Sequence, residues 1–193
     1  MLSYKESLKI LKETNALQEG HFILSSGLHS EKYVQCAMLL SKPVKAKEIC
    51  LSLAEKIKKQ FNKIDIILAP AMGGIVIGYE IGRVLNVETI FAERVDGKFH
   101  LRRGFEIKKN QRVLLLEDVI TTGKSIKECA RLAQDFEANI LGFACLIDRS
   151  DKKIDIKKQI VSQVEIDIPT YDEKNLPSHL SKIKPTKPGS RNL

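Results

Sequence analysis

Tryptophan is missing from this chain of 193 residues, and aromatic residues together make up only 6%. Stacking platforms for nucleic acid are therefore scarce, and no RNA-binding signature is present. No apolar run approaches the roughly 20 residues of a membrane-spanning helix. The stretch Tyr4-Lys5-Glu6-Ser7-Leu8-Lys9-Ile10-Leu11 is amphipathic and charged throughout, unlike a secretory signal. A cytoplasmic protein without membrane or nucleic-acid partners is expected. The cysteines Cys36, Cys50, Cys129 and Cys145 include no C-x-x-C pair. Cys50, Cys129 and Cys145 sit in apolar patterns, which favours buried thiols over a metal or redox site. The histidines His21, His29, His100 and His179 lack H-E-x-x-H spacing, so no structural zinc is expected.

What is present suits one soluble, globular domain over residues 1–193, with 43% hydrophobic and 29% charged residues. The net charge of +8 is localised: residues 94–112 hold seven Lys/Arg against two acids, and residues 151–193 hold nine against six. The first of these excesses argues for an anionic ligand at that segment.

Helical spacing is read at 3–17, at 43–61 with Pro43 in the first turn, at 75–85 and at 124–137. Apolar strand candidates fall at 64–69, 89–92, 113–117 and 140–147, with short β-prone pieces around 159–168. Residues 20–30 read as short strands and a loop, 94–110 as a basic, glycine-containing loop, and 174–193 as an irregular tail. Strands alternating with helices predict right-handed crossovers and a mainly parallel sheet flanked by helices, an α/β fold.

The richest segment is Val113-Leu114-Leu115-Leu116-Glu117-Asp118-Val119-Ile120-Thr121-Thr122-Gly123-Lys124-Ser125. It reads as a buried strand ending in two carboxylates, then a hydroxyl- and glycine-rich turn at a helix N-terminus. Backbone N–H groups there suit a phosphate. The carboxylates suit the hydroxyls of a sugar attached to it. Gly123-Lys124-Ser125 resembles the end of a Walker A loop, but that motif wants glycine at position 118, where Asp118 would repel a triphosphate. Thr121 or Thr122 as a plain helix cap remains compatible with the segment.

This segment resembles the phosphoribosyl-pyrophosphate motif of type I phosphoribosyltransferases, and its Glu-Asp-Val-Ile-Thr-Thr-Gly form is similar to that of orotate phosphoribosyltransferases. Three further features carry that resemblance: Phe22-Ile23-Leu24-Ser25-Ser26-Gly27-Leu28-His29-Ser30-Glu31-Lys32-Tyr33; the order Arg94, Lys98, His100; and Leu146-Ile147-Asp148-Arg149. It implies the type I phosphoribosyltransferase fold, with an N-terminal hood mainly at 18–40, a possible C-terminal contribution to it, and a mobile catalytic loop at about 94–110.

The reaction implied is orotate plus phosphoribosyl pyrophosphate giving orotidine 5′-monophosphate and pyrophosphate, a step of pyrimidine biosynthesis. In that reading Val119, Ile120, Thr121, Thr122, Gly123, Lys124 and Ser125 bind the phosphoribosyl end, and Glu117 and Asp118 take the ribose hydroxyls. Arg94, Lys98 and His100, with the backbone of Gly73 and Gly74, hold the pyrophosphate. Arg149 pairs with the orotate carboxylate, and Thr121, Ser26 and Gly27 adjoin the base. Lys98, His100 and Asp118 are the catalytic candidates. Tyr33 is either a base-covering residue or core. A cis or strained peptide is expected near Ala71-Met72. The resemblance also implies Mg²⁺ carried in by the substrate, with no cage made by protein alone. It further implies a homodimer whose loops cross between subunits, and orotidylate decarboxylase as a candidate partner.

The chain departs from the family pattern at Ser25, Gly73 and Val95, where lysine is common, and Arg102 and Arg103 are candidate replacements. Two alternatives stay open: a phosphoribosyltransferase for another base, and a nucleic-acid-binding regulator on the same fold that senses phosphoribosyl pyrophosphate.

Overall fold

A computed structural model describes residues 1–24, 26–150 and 158–188. Ser25 and the last part of the expected irregular tail, 189–193, lie outside the described residues.

The apolar runs become the central strands of a six-stranded sheet. Its strands are β3 (Ile66–Pro70), β4 (Glu88–Val95), β5 (Lys98–Leu101), β6 (Arg112–Ile120), β7 (Asn139–Asp148) and β8 (Ile160–Glu165), in the order β5-β4-β3-β6-β7-β8. Every pairing is parallel except β4 with β5. Buried on both faces, β3 and β6 need continuous apolar sequence rather than alternation.

Side chains still alternate between the two faces. Ile67, Leu114 and Leu116 join a core with α1 (Tyr4–Glu13), α3 (Pro43–Gln60) and α4 (Gly73–Leu85). Ile66, Leu68, Val113 and Leu115 join the opposite core with Ile126, Cys129 and Ala133 of α5 (Lys124–Asp135). The sheet is thus sandwiched, as the α/β reading expected. All four cysteines are buried and unpaired.

Over one end stands a second, antiparallel sheet of β1 (Leu17–Ile23), β2 (His29–Val34) and β9 (Thr170–Tyr171), in the order β1-β2-β9. Residues beyond β9 return to it: Thr186 N–H donates to His21 O at 2.9 Å, and Ile23 N–H donates to Thr186 O at 2.8 Å. His21 Nδ1 lies 2.8 Å from Ile183 O, and its Nε2 lies 2.6 Å from His29 Nδ1. A carbonyl only accepts, so His21 carries a proton on Nδ1; in a neutral pair its Nε2 accepts from His29.

Several boundaries differ from expectation. The first helix stops at Glu13 rather than 17, because the Thr14 hydroxyl donates to Ile10 O at 2.8 Å and Asn15 turns left-handed at φ 59°. At its other end Ser3 and Glu6 form a reciprocal capping box. Asp65 is not in a strand; its carboxylate accepts from the Arg112 backbone and guanidinium. The 94–110 segment opens as a hairpin rather than a loop. Asp96 and Gly97 both have positive φ, 48° and 81°, which suits a tight hairpin turn. The tail is not wholly irregular, since α6 (Ser178–Ser181) and the Thr186 pairing interrupt it.

Candidate active site

Strand β6 runs past Glu117 and Asp118 to Ile120, pairing Val119 with Ile147 and Ile120 with Asp148 of β7. The acids therefore lie inside the strand's last residues, not beyond its end. Alternation sends them to opposite faces. Asp118 lies against the start of α4, where a Cβ on Gly73 would sit 2.8 Å from Asp118 Oδ1. Glu117 lies on the α5 side, close enough to Cys129 for its charge to act on that thiol. Burial, then the charge of Asp118, pushes the Glu117 carboxyl up to about 8. Burial also raises Asp118, opposed by hydrogen bonds from the backbone, among them Val119 N–H at 2.9 Å.

Two helices begin at the carboxyl ends of the adjacent strands β3 and β6. Helix α5 starts after Gly123, which has φ 68° and provides no capping side chain. Thr122 Oγ1 is no N-cap; it lies 3.4 Å from Lys124 N. Lys124 N–H donates to that hydroxyl, while the other first-turn N–H groups of α5, beside exposed Thr121 and Thr122, have no side-chain cap. Helix α4 likewise has no side-chain cap. The Ala71–Met72 peptide preceding it is cis. Gly74 packs so tightly that a Cβ would meet Ala69 Cβ and Leu116 O at 3.2 Å. Two helix N-termini without side-chain caps, a feature that suits an anion, therefore stand at the ends of β3 and β6, where open α/β sheets bind ligands.

Arg149 follows β7, and its N–H donates to Ile120 O at 2.8 Å, fixing it beside the end of β6. Its Nε is buried and has no partner among the described residues, and burial disfavours its charged form. A buried guanidinium N–H without a partner is suited to pairing with an anion.

The hairpin does not gather its three cations into one clamp. Arg94 pairs across with Phe99, and its guanidinium lies 4.1 Å above that ring. It also donates to Gly97 O and to Glu128 of α5. Lys98 and His100 alternate with Phe99 on β5 and so occupy the other face, exposed. Ser26 and Gly27 form an exposed turn between β1 and β2, with Gly27 at φ 84°. Tyr33 stacks at 5.7 Å on Phe22 inside the small sheet, as a packing residue. Arg103 is engaged by Glu93, at 2.8 Å. Glu128 escaped the sequence reading because a glutamate one turn into a helix carries no signal of its own.

Among the described residues no group of three or more His, Cys, Asp or Glu stands together as a metal site. No helix among them is long and apolar enough to cross a membrane.

Comparison with known proteins agrees with this arrangement. The family model described as phosphoribosyl transferase domain matches residues 37–181. An orotate phosphoribosyltransferase from Methylorubrum populi is 45% identical over 190 residues, covering 98% of this chain and 97% of that one. The crystal structure of orotate phosphoribosyltransferase from Aeropyrum pernix is 22% identical with a TM-score of 0.70, over 82% of this chain and 92% of that one. An adenine phosphoribosyltransferase structure from Thermoanaerobacter pseudethanolicus is 18% identical with a TM-score of 0.61, over 70% and 88%. These structural likenesses speak for the fold alone, whereas the long, close match in sequence assigns the chain to the orotate phosphoribosyltransferase family.

Proposed function

We propose that the chain transfers the phosphoribosyl group of phosphoribosyl pyrophosphate to orotate, releasing pyrophosphate. The observation that carries this is Arg149, whose buried Nε lacks a partner among the described residues and whose backbone is fixed beside Ile120 at the end of β6. A base bearing a carboxylate satisfies it; a neutral base leaves it unpaired.

The first turn of α5 holds the 5′-phosphate through N–H groups and the helix dipole. Glu117 and Asp118 accept hydrogen bonds from the ribose hydroxyls, which favours their ionised forms against the cost of burial. The backbone at Gly73 and Gly74 donates to the pyrophosphate, and Arg94, Lys98 and His100 add positive charge as it departs. A ring nitrogen of orotate bonds to the anomeric carbon while the bond to pyrophosphate oxygen breaks. Holding both partners in line converts a bimolecular encounter into an oriented one.

Glu117 and Asp118 point to opposite faces and make no shared cage, so Mg²⁺ would be held mainly by substrate oxygens and water. When bound, Mg²⁺ neutralises the charge on the pyrophosphate.

A homodimer belongs to the same reading. Met72, Val76 and Tyr79 form an exposed stripe on and before α4, at 81%, 52% and 69% accessibility, which a second copy covers. Lys98 and His100, facing away from Arg94, serve the partner's crevice. Mixing Lys98→Ala and Asp118→Ala subunits then restores partial activity; no restoration would mean each hairpin serves its own crevice.

The deciding experiment follows orotate absorbance with phosphoribosyl pyrophosphate and Mg²⁺. Consumption of orotate with stoichiometric pyrophosphate is expected. Turnover with adenine instead would move the chain to another base.

A further inference from the structure

The contact between Arg94 and Glu128 joins the hairpin to the helix that carries the phosphate-binding N-terminus. Both terminal nitrogens of Arg94 are engaged, one by Gly97 O and the other by Glu128, and the guanidinium lies on Phe99. Side-chain accessibility is 36% for Arg94 and 27% for Glu128, so the pair is neither fully solvated nor sealed. Glu128 packs beside Cys129, which also lies within reach of the Glu117 charge. The arginine thus lies within electrostatic reach of Cys129, as Glu117 does, with its charge already met by the protein's own carboxylate.

We infer that Glu128 is a positioning residue that occupies Arg94 in the substrate-free protein and yields it to pyrophosphate. The carboxylate stands in for the anion: Glu128 Oε2 holds one guanidinium nitrogen until a more highly charged group displaces it. The latch anchors the hairpin to α5. Its cost is affinity, because pyrophosphate must break one ion pair to form another. A partly exposed ion pair of this kind is weak, so the exchange stays within reach of binding. The inference rests on the proposed role of Arg94 toward pyrophosphate.

Calorimetric titration of the full chain with magnesium pyrophosphate tests it in wild type and in four variants. Arg94→Ala weakens binding relative to wild type. Glu128→Gln tightens it about two- to fivefold, the factor a partly exposed ion pair supplies. Adding Glu128→Gln to Arg94→Ala changes nothing further, because the effect travels through the arginine. In turnover, Glu128→Gln lowers KM for phosphoribosyl pyrophosphate more than it alters kcat. Glu128→Asp, which withdraws the carboxylate by one methylene, tightens binding in the same direction. Unchanged or weaker binding by Glu128→Gln overturns the latch while leaving the role of Arg94 intact. An equal gain in the Arg94→Ala background also overturns it, showing a general field effect. If Arg94→Ala alone leaves pyrophosphate affinity unchanged, the role of Arg94 fails, and the latch with it.

Discussion

Gly73 and Asp118 face each other so closely that the glycine's missing Cβ would lie 2.8 Å from Asp118 Oδ1 and 2.9 Å from Oδ2. The start of α4 and the carboxylate share one space. This gives a physical reason for the absence of lysine at position 73: in this arrangement any side chain there displaces the acid.

Gly73→Ala is therefore expected to act on the site more than on the fold. The atoms in the way are the end of a short side chain, which can rotate away from its contact with Val119 N–H at 2.9 Å. The melting temperature should stay within a few degrees of wild type. Affinity for phosphoribosyl pyrophosphate should fall by about tenfold or more, the loss of one charge-assisted hydrogen bond. Equal affinity in the two proteins would show that Asp118 does not need its present position.

Glu117 makes substrate-free stability depend on pH. Its carboxyl is raised from 4.5 to about 8 by burial and by Asp118. The folded state then binds the proton more tightly than the unfolded state. This group's stabilisation is complete below about pH 4.5 and is lost as pH rises through about 8. Glu117→Gln mimics the protonated form, so its advantage over wild type should grow with pH, by at most about 1.4 kcal/mol per unit. Denaturant melts at intervals from about pH 5 to about pH 9 follow the two curves; parallel curves would contradict the assignment. Binding of phosphoribosyl pyrophosphate, which needs the charged form, should strengthen over the same window.

Much of this site could be read from residue order, and the reasons are local. Leu114 to Asp118 and Thr121 to Ser125 are contiguous, so a buried strand, its acids and the following helix start are written in one segment. The opposite facing of Glu117 and Asp118 follows from strand alternation, but only once β6 is known to continue to Ile120. That extension depends on pairing with β7, a non-local fact. The 94–110 segment misled because its charge obscured a hairpin signal. Asp96-Gly97 sits between residues that pair, Val95 with Lys98 and Arg94 with Phe99. The Arg94–Glu128 contact spans 34 positions and needs the fold to exist first.

Arg149 offers a test in which stability and binding move apart. Its buried Nε has no partner among the described residues, and burial disfavours its charge. Arg149→Met keeps much of the side-chain volume and removes an uncompensated buried charge, a change that is often neutral or stabilising. The substrate-free melting temperature should hold or rise. KM for orotate should increase by roughly 10- to 100-fold, the value of a hydrogen bond to a charged group. A fall in stability with unchanged orotate kinetics would make Arg149 a structural residue.

The far end of α4 is packed as closely as its first turn. Gly82 there lies on β4, and a Cβ would sit 2.0 Å from Thr89 Oγ1 and 2.8 Å from Val87 O. The second atom is backbone, so rotating Thr89 cannot relieve the clash. Helix and strand must separate. Gly82→Ala should cost about 1–3 kcal/mol, the usual range for overpacking. In a chain of this size that lowers the melting temperature by roughly 2–4 °C per kcal/mol. Scanning calorimetry reads the loss directly. Adding Thr89→Ala, which removes Thr89 Oγ1, should recover little of it, because the contact with Val87 O remains; full recovery would place the strain in the Thr89 side chain alone.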